Sequence, residues 1–343
     1  MVMKKLVYSN TTGSLDFEKD LLKSWGVSDL ELVEVKESDP SKISDHLIDA
    51  DGVVVIYDRI DEGVLQKCPK LKCVSVQSIG YDNLDTKAGS KYGVCMTNAP
   101  GYCEEEVAEH TVGLMLDLVR KISFYDRNVR NGQWNPLKGY KTYTLSGKNF
   151  GMVFFGHIPK IVAPVVKALG MNVLVYAPTK STNEIEKYGC TKVDTLSELC
   201  QKSDVLSLHC PLIDGITYHL IGEKELKLMK KTSFLINTAR GEVIDEKALI
   251  HALEEKWIMG AGLDVIEDEE NAKSRLFEMP DCTVITPHAG FLSKDSFYKA
   301  REIALAQQVQ CLHEGRRPDN LVNKNLVSGK ERFYKERSNK EKF

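Results

Sequence analysis

The sequence has no long apolar stretch, no paired-cysteine motif and no marked excess of either charge. Its apolar runs are far too short to cross a bilayer. The opening residues, Met1 to Asn10, pass from two lysines into a strand-like segment with no apolar signal core, so export is not expected. Nine cysteines, scattered from Cys68 to Cys311, contain no Cys-x-x-Cys pair. Zinc ribbons and disulfide scaffolds require tighter spacing, so reduced, mostly buried thiols in a reducing, cytoplasmic compartment are expected. The eight histidines contain no His-x-x-x-His pair, and a structural metal is not supported. A formal net charge of -3 gives no electrostatic case for nucleic acid or an anionic membrane as partner.

What is present is ordinary in composition and regular in pattern. Hydrophobic residues make up 42% and charged residues 28%, the balance of a globular chain, and 343 residues exceed one ordinary core. Short β-branched runs (Leu6 to Tyr8, Gly52 to Tyr57, Cys73 to Gln77) alternate with amphipathic stretches (Leu15 to Trp25, Ser41 to Ile48). That alternation predicts α/β architecture with parallel sheets and crossover helices. After Asn98-Ala99-Pro100-Gly101 a long helical segment begins, apolar on several faces, which is expected of a helix in a core or a subunit interface. A second alternating series runs from Phe150 to about Pro287. A last helix, about Lys294 to His313, is expected to return to the first domain. The charge-rich end beyond Asn325 is expected to be solvated.

Phe150 to Phe154, Ile158 to Leu169 and Asn172 to Tyr176 read as strand, helix, strand, a βαβ unit long enough for a dinucleotide. In place of Gly-x-Gly-x-x-Gly stands Phe154-Phe155-Gly156-His157-Ile158-Pro159. Only Gly156 remains, the glycine that lets backbone approach a pyrophosphate. Pro159 falls in the first helical turn, where a missing N–H costs little. Phe154 occupies the tight turn that glycine normally makes. The acid expected after the second strand is Ala177, followed by Pro178-Thr179-Lys180-Ser181. Three readings stay open: NAD held by other contacts, NADP held by Lys180 and its neighbours, or a weakened site.

Three later islands each place polar groups after an apolar strand: Leu235 to Gly241, Gly262 to Glu269, and Val284 to Gly290. Taken singly, each has a bland reading. His288 could be a turn residue, Arg240 could pair with a surface acid, and Glu267 to Glu270 could be a solvated loop. Trp134 reads as packing; His110, His157 and His209 read as structural or cofactor-edge residues.

Together with Gln77 to Asp85, Asn98 to Gly101 and Val107 to His110, the islands resemble the D-isomer-specific 2-hydroxyacid dehydrogenases. The likeness runs from about residue 50 to residue 325. Gly101 to Val107 and Tyr125-Asp126-Arg127 are most similar to the branch of C-terminal-binding proteins. The resemblance implies two Rossmann-like domains with the active site in the cleft between them. Residues 1–99 and 292–326 would bind substrate, 100–291 would bind cofactor, and 327–343 would form a flexible tail. It implies hydride transfer between NAD, with NADP possible, and a 2-oxo acid / D-2-hydroxy acid pair. Arg240 would bind substrate, His288 would be the acid–base and Glu269 its carboxylate partner. Ser78, Ile79 and Gly80 would hold the substrate carboxylate. Gly156, His157, Ile158, Cys210 and Pro211 would bind cofactor, as would Thr238, Ala239 and His288, with Asp264 near the nicotinamide carboxamide. A homodimer paired through about Cys103 to Val129 is expected.

The chemistry suits those residue types. An imidazole titrates near neutrality and can give a proton to a developing alkoxide. A neighbouring carboxylate favours the imidazolium. A guanidinium grips a carboxylate with two bonds and keeps its charge. The rival expectation is a dinucleotide-sensing binding protein with little turnover, motivated by the damaged glycine motif; intact Arg240, Glu269 and His288 argue against it.

Overall fold

The computed structural model describes residues 2–139, 142–326 and 330–332. Along the first stretch strands and helices alternate: β1 (Lys4–Ser9), α1 (Asp16–Ser24), β2 (Leu30–Val35), α2 (Ile43–Leu47), β3 (Gly52–Val55), α3 (Glu62–Lys67), β4 (Cys73–Val76), α4 (Thr86–Tyr92) and β5 (Cys95–Thr97). Two helices follow, α5 (Glu104–Arg120) and α6 (Ile122–Arg130). The second series is β6 (Asn149–Val153), α7 (His157–Ala168), β7 (Asn172–Tyr176), α8 (Thr182–Glu186), β8 (Thr191–Lys192), α9 (Leu196–Lys202), β9 (Val205–Leu208), α10 (Glu223–Leu228), β10 (Phe234–Asn237), α11 (Glu246–Glu254), β11 (Gly260–Leu263), β12 (Thr283–Ile285) and α12 (Lys294–Leu312). These elements form two compact units, Met1–Tyr102 with Ser293–Phe343, and Cys103–Leu292. Among the described residues no helix is long and apolar enough to cross a membrane.

In the first unit five parallel strands are ordered β2-β1-β3-β4-β5. β3, β4 and the centre of β1, Leu6 to Tyr8, are almost wholly apolar and buried because both faces of the sheet are covered, the usual condition of a parallel sheet. One cover is α12. Its Gln308 Nε2 donates to Val53 O at 2.9 Å and Ser75 Oγ at 3.0 Å, and a Cβ on Gly52 would stand 2.2 Å from Gln308 Oε1. Arg301, also on α12, donates to Glu18 of α1, the two forming a buried charge pair. Residues after α12 lie along β5, where Val322 N donates to Met96 O at 2.8 Å. Part of the charged end also docks. Arg332 donates to the carbonyls of Tyr92, Cys68 and Leu71, while 327–329 and 333–343 lie outside the described residues.

The second unit is a seven-stranded parallel sheet, β12-β11-β10-β9-β6-β7-β8. The expected single helical segment from Cys103 to Val129 is instead two helices. Lys121 adopts φ +56°, and Asp117 Oδ1 accepts from Ser123 N at 2.7 Å, restarting the helix in a new direction. The apolar faces of α5 are buried in the core of this unit, with Met115, Leu118 and Val119 beside Phe150 and Phe234. Burial in its own core therefore accounts for the breadth of its apolar surface. The packing expected of Trp134 is not found either, since the ring is 87% exposed. All nine cysteines are free and all but Cys282 are buried.

Candidate active site

In the second unit the chain leaves β6 for β7 and β8, then crosses back to β9 on the other side of β6. The crevice at the carboxyl ends of β6 and β9 is therefore the switch point at which open α/β sheets bind ligands. The residues singled out in the sequence follow the carboxyl ends of these strands. Phe154 and Gly156 come after β6, Cys210 and Pro211 after β9, Thr238 to Arg240 after β10, Asp264 after β11, and His288 after β12.

Gly156 caps α7, and a Cβ there would meet nothing within 4 Å, so open space faces the helix N-terminus. A pyrophosphate fits that arrangement, because helix N-terminal amides and their dipole favour an anion. His157 extends from the same turn and is 82% exposed, with Glu104 Oε2 4.0 Å from its Nδ1. Phe154 makes the turn a glycine usually makes and does so at φ +72°, a left-handed conformation that strains a bulky side chain. Its amide still donates to Tyr176 O at 2.8 Å, which keeps the turn tied to β7.

After β9, Cys210 is buried, and burial pushes its thiol up to about 12, which makes it inert as a nucleophile. Pro211 O accepts from Thr217 Oγ1 at 2.7 Å. After β10, buried Asn237 shapes the turn: its Nδ2 donates to Arg240 O at 2.8 Å, and its Oδ1 accepts from Ala239 N at 3.0 Å. Gly241 lies so close to the next loop that a Cβ would stand 1.8 Å from Ile266 O. That contact fixes the backbone beside Arg240, whose Nη1 donates to Ala239 O at 2.7 Å.

Asp264 organises the loop that carries His288. Its Oδ1 accepts from Thr286 Oγ1 at 2.6 Å and Ala289 N at 2.8 Å, and its Oδ2 accepts from Gly290 N at 2.9 Å. Its backbone carbonyl accepts from His288 N at 2.7 Å. Burial alone would raise its pKa, but hydrogen bonds from His110, Thr286, Gly290 and Ala289 bring it down to about 2. The clasp supports the left-handed backbone of His288, φ +50°. His288 Nδ1 stands 2.8 Å from Glu269 Oε2. The acidic run around Glu269 is thus not simply solvated, since Glu267 also pairs with His219 Nε2.

Two polar groups of α5 join this edge. His110 Nε2 lies 2.8 Å from Thr286 Oγ1, and Thr111 Oγ1 lies 2.9 Å from Thr238 Oγ1. Because the Thr286 hydroxyl gives its proton to Asp264, His110 must be the donor to Thr286. Neither contact follows from motif reading. The available signal is a His-Thr pair set between apolar residues on a buried helix, where an unpartnered polar group would be costly.

Ser78, Ile79 and Gly80 belong to the first unit and follow β4. Ala99 N donates to Ser78 O at 2.9 Å, and Asn98 Nδ2 donates to Ile79 O at 2.7 Å. In a trans peptide the N–H points away from the C=O. Turning these carbonyls towards Asn98 and Ala99 therefore directs the amides of Ile79 and Gly80 the other way.

Residues 112–290 match the model of the D-isomer specific 2-hydroxyacid dehydrogenase NAD-binding domain. The chain belongs to that family. It is 39% identical over 283 residues to a glyoxylate reductase of Thermococcus litoralis, covering 80% of this chain and 84% of that one. Among solved structures it resembles a D-lactate dehydrogenase from Aquifex aeolicus complexed with NAD and lactic acid. That match has a TM-score of 0.79 at 31% identity, over 90% of this chain and 96% of the other. An acyclic imino acid reductase complexed with NADPH and D-Arg matches with a TM-score of 0.81 at 27% identity, over 93% and 99%. These relatives establish the family without specifying the branch of C-terminal-binding proteins.

Proposed function

We propose that this protein is an NAD(P)-dependent dehydrogenase interconverting a 2-oxo acid and its D-2-hydroxy acid. The observation that carries the proposal is the 2.8 Å His288–Glu269 pair on the sheet edge that also presents Arg240. A binding protein without turnover has no use for an imidazole so held, and the named relatives are reductases and dehydrogenases.

In the reductive direction His288 keeps Nδ1 on the Glu269 carboxylate, which leaves Nε2 to hold the proton for the oxygen on C2. Asp264 fixes the loop, so the imidazole needs little reorganisation. Arg240 binds the substrate carboxylate and polarises the adjacent carbonyl. Ser78, Ile79 and Gly80 are assigned to that carboxylate through their amides. The α7 turn, Gly156 with His157 and Ile158, is assigned to the cofactor pyrophosphate; Cys210, Pro211, Thr238 and Ala239 line its path, with Asp264 and His288 at the nicotinamide end. When bound, the reduced nicotinamide supplies the hydride.

The reading extends to a homodimer in the cytoplasm. Nine free cysteines suit a reducing compartment, and exposed apolar side chains on and after α6 suit a partner copy. The test of function is a panel of 2-oxo acids, including glyoxylate and pyruvate, with each reduced cofactor. Arg240→Ala should cost about 3 kcal/mol, near a hundredfold in kcat/KM, while His288→Ala should chiefly lower kcat. Turnover of any active substrate at the parental rate in both variants would refute these roles.

A further inference from the structure

The region after β7 carries a charge arrangement that glycine and acid motifs do not reveal. Ala177, where an acid would bind the adenosine ribose, is buried, and Lys180 N donates back to Ala177 O at 3.1 Å to close a turn. Lys180 Nζ stands 2.8 Å from Glu184 Oε1, at the start of α8, and Lys160 Nζ stands 3.8 Å from the same oxygen. Lys192, on β8, donates to Lys180 O at 2.7 Å and holds the turn. Glu184 is kept below the usual carboxylate range by the hydrogen bond from Lys180, with the charges of Lys160 and Lys187 adding to it. A single carboxylate is therefore surrounded by several ammonium groups.

Position gives this cluster meaning. In a dinucleotide fold the adenosine ribose lies between the phosphate-binding helix and the end of the second strand, and a basic residue there accommodates a 2′-phosphate. Lys160 is on the first half of α7 and Lys180 is in the turn after β7, so the two walls each contribute a lysine. We propose that Lys160 and Lys180 bind the 2′-phosphate of NADPH, with Glu184 engaging them in its absence, and that NADPH is the preferred cofactor. This rests on the dinucleotide-dependent function proposed above and selects, among the readings left open by the sequence, the one in which Lys180 and its neighbours hold NADP. The competing arrangement makes Glu184 the displaced acid that grips the ribose diol of NADH.

Fluorescence titration of the full chain with NADH and NADPH separates these arrangements. The parent should bind NADPH at least about fivefold more tightly, an advantage that shrinks with added salt as screening predicts. Lys180→Ala and Lys160→Ala should each weaken NADPH about tenfold and leave NADH within about twofold, the retained NADH binding showing that the variants fold. Glu184→Gln should tighten NADPH without weakening NADH, because it removes an internal competitor. NADH binding as tight as NADPH in the parent, or an unchanged ratio in both lysine variants, overturns the proposal. So does a loss of NADH affinity in Glu184→Gln, which would give that acid the ribose. Failure to bind either cofactor would overturn the proposed function as well, whereas NADH binding alone would leave that function standing.

Discussion

At the scale of single residues, buried or strained groups give the sharpest expectations. Phe154 holds φ +72° while packing against the apolar cluster beside β9 and β10, so strain and burial oppose one another. Phe154→Ala loses the ring and keeps the strain, whereas Phe154→Gly loses the ring and relieves the strain. Urea unfolding should therefore find the glycine variant more stable than the alanine variant by about 1 kcal/mol, against the usual order for these residues. The glycine variant should also tighten both cofactors; an alanine variant that is the more stable would show that the turn is unstrained. His209 is a second case. Burial lowers its pKa to about 3, and its Nε2 lies 3.0 Å from Ser207 Oγ. The unfolded chain binds the proton near pH 6.5 and the folded protein does not, so stability falls as pH drops from about 6.5 towards 3. The slope from this group is at most about 1.4 kcal/mol per pH unit, and His209→Gln should reduce it. Asp264 acts in the same direction lower down. Its folded pKa of about 2 gives stability that is full above about 4 and is lost as pH falls through 2. Unfolding curves of parent and His209→Gln that keep the same slope between pH 6 and 4 would remove His209 from this account.

At the scale of elements, the strand ends carry the site and the turns between elements decide its geometry. Gly241 is the tightest of these points. A methyl group there would overlap the Ile266 carbonyl and push the Arg240 turn away from the loop that leads to Glu269. Gly241→Ala should cost about 3 kcal/mol or more in unfolding free energy and most of the kcat/KM. Parental stability and activity in that variant would mean the two loops separate without consequence. The strands and helices around these turns were largely legible in the sequence. β3 and β4 follow from short β-branched runs, β6, α7 and β7 from the strand–helix–strand pattern, and the three islands from polar residues placed after apolar strands; the two-residue β8 is too short to leave a pattern. β2 was harder to see, because Glu31 and Glu34 interrupt LELVEV at the sheet edge, one on each face, and leave neither an unbroken apolar run nor a strict alternation. The break at Lys121 was not legible, since it depends on Asp117 capping Ser123 and not on a glycine or proline. The same limit applies to the site. Arg240, Glu269 and His288 announce themselves by residue type, whereas the clasp of His110, Thr286 and Asp264 exists only through contacts between residues far apart in the chain.

At the scale of the whole molecule the open question is what covers the outer surface of α6. No residue of α6 is buried, although Ile122 and Val129 are apolar and 59% and 45% exposed. Trp134 and Leu137, which follow it, are 87% and 73% exposed. Leaving four large apolar side chains in water across one short segment costs hydrophobic free energy that a symmetric partner would recover, at about 25 cal/mol for each Å² covered. A two-fold arrangement is the common solution, because one self-complementary patch satisfies both copies. The segment has one carboxylate, Asp126, paired to Arg130 at 2.8 Å, while Arg127 and the flanking Lys121 and Lys138 leave it net positive, a repulsion that the apolar burial has to outweigh. The chain should therefore sediment at twice its 38.5 kDa at micromolar concentration. Introducing charge at two of these positions, as Ile122→Asp with Trp134→Asp, should yield the single-chain mass while leaving thermal unfolding of the monomer cooperative, because neither side chain contributes to a core. A parent that sediments as a single chain at micromolar protein would show that this surface stays wet and would withdraw the dimer. A double variant that remained a dimer would place the interface elsewhere on the molecule.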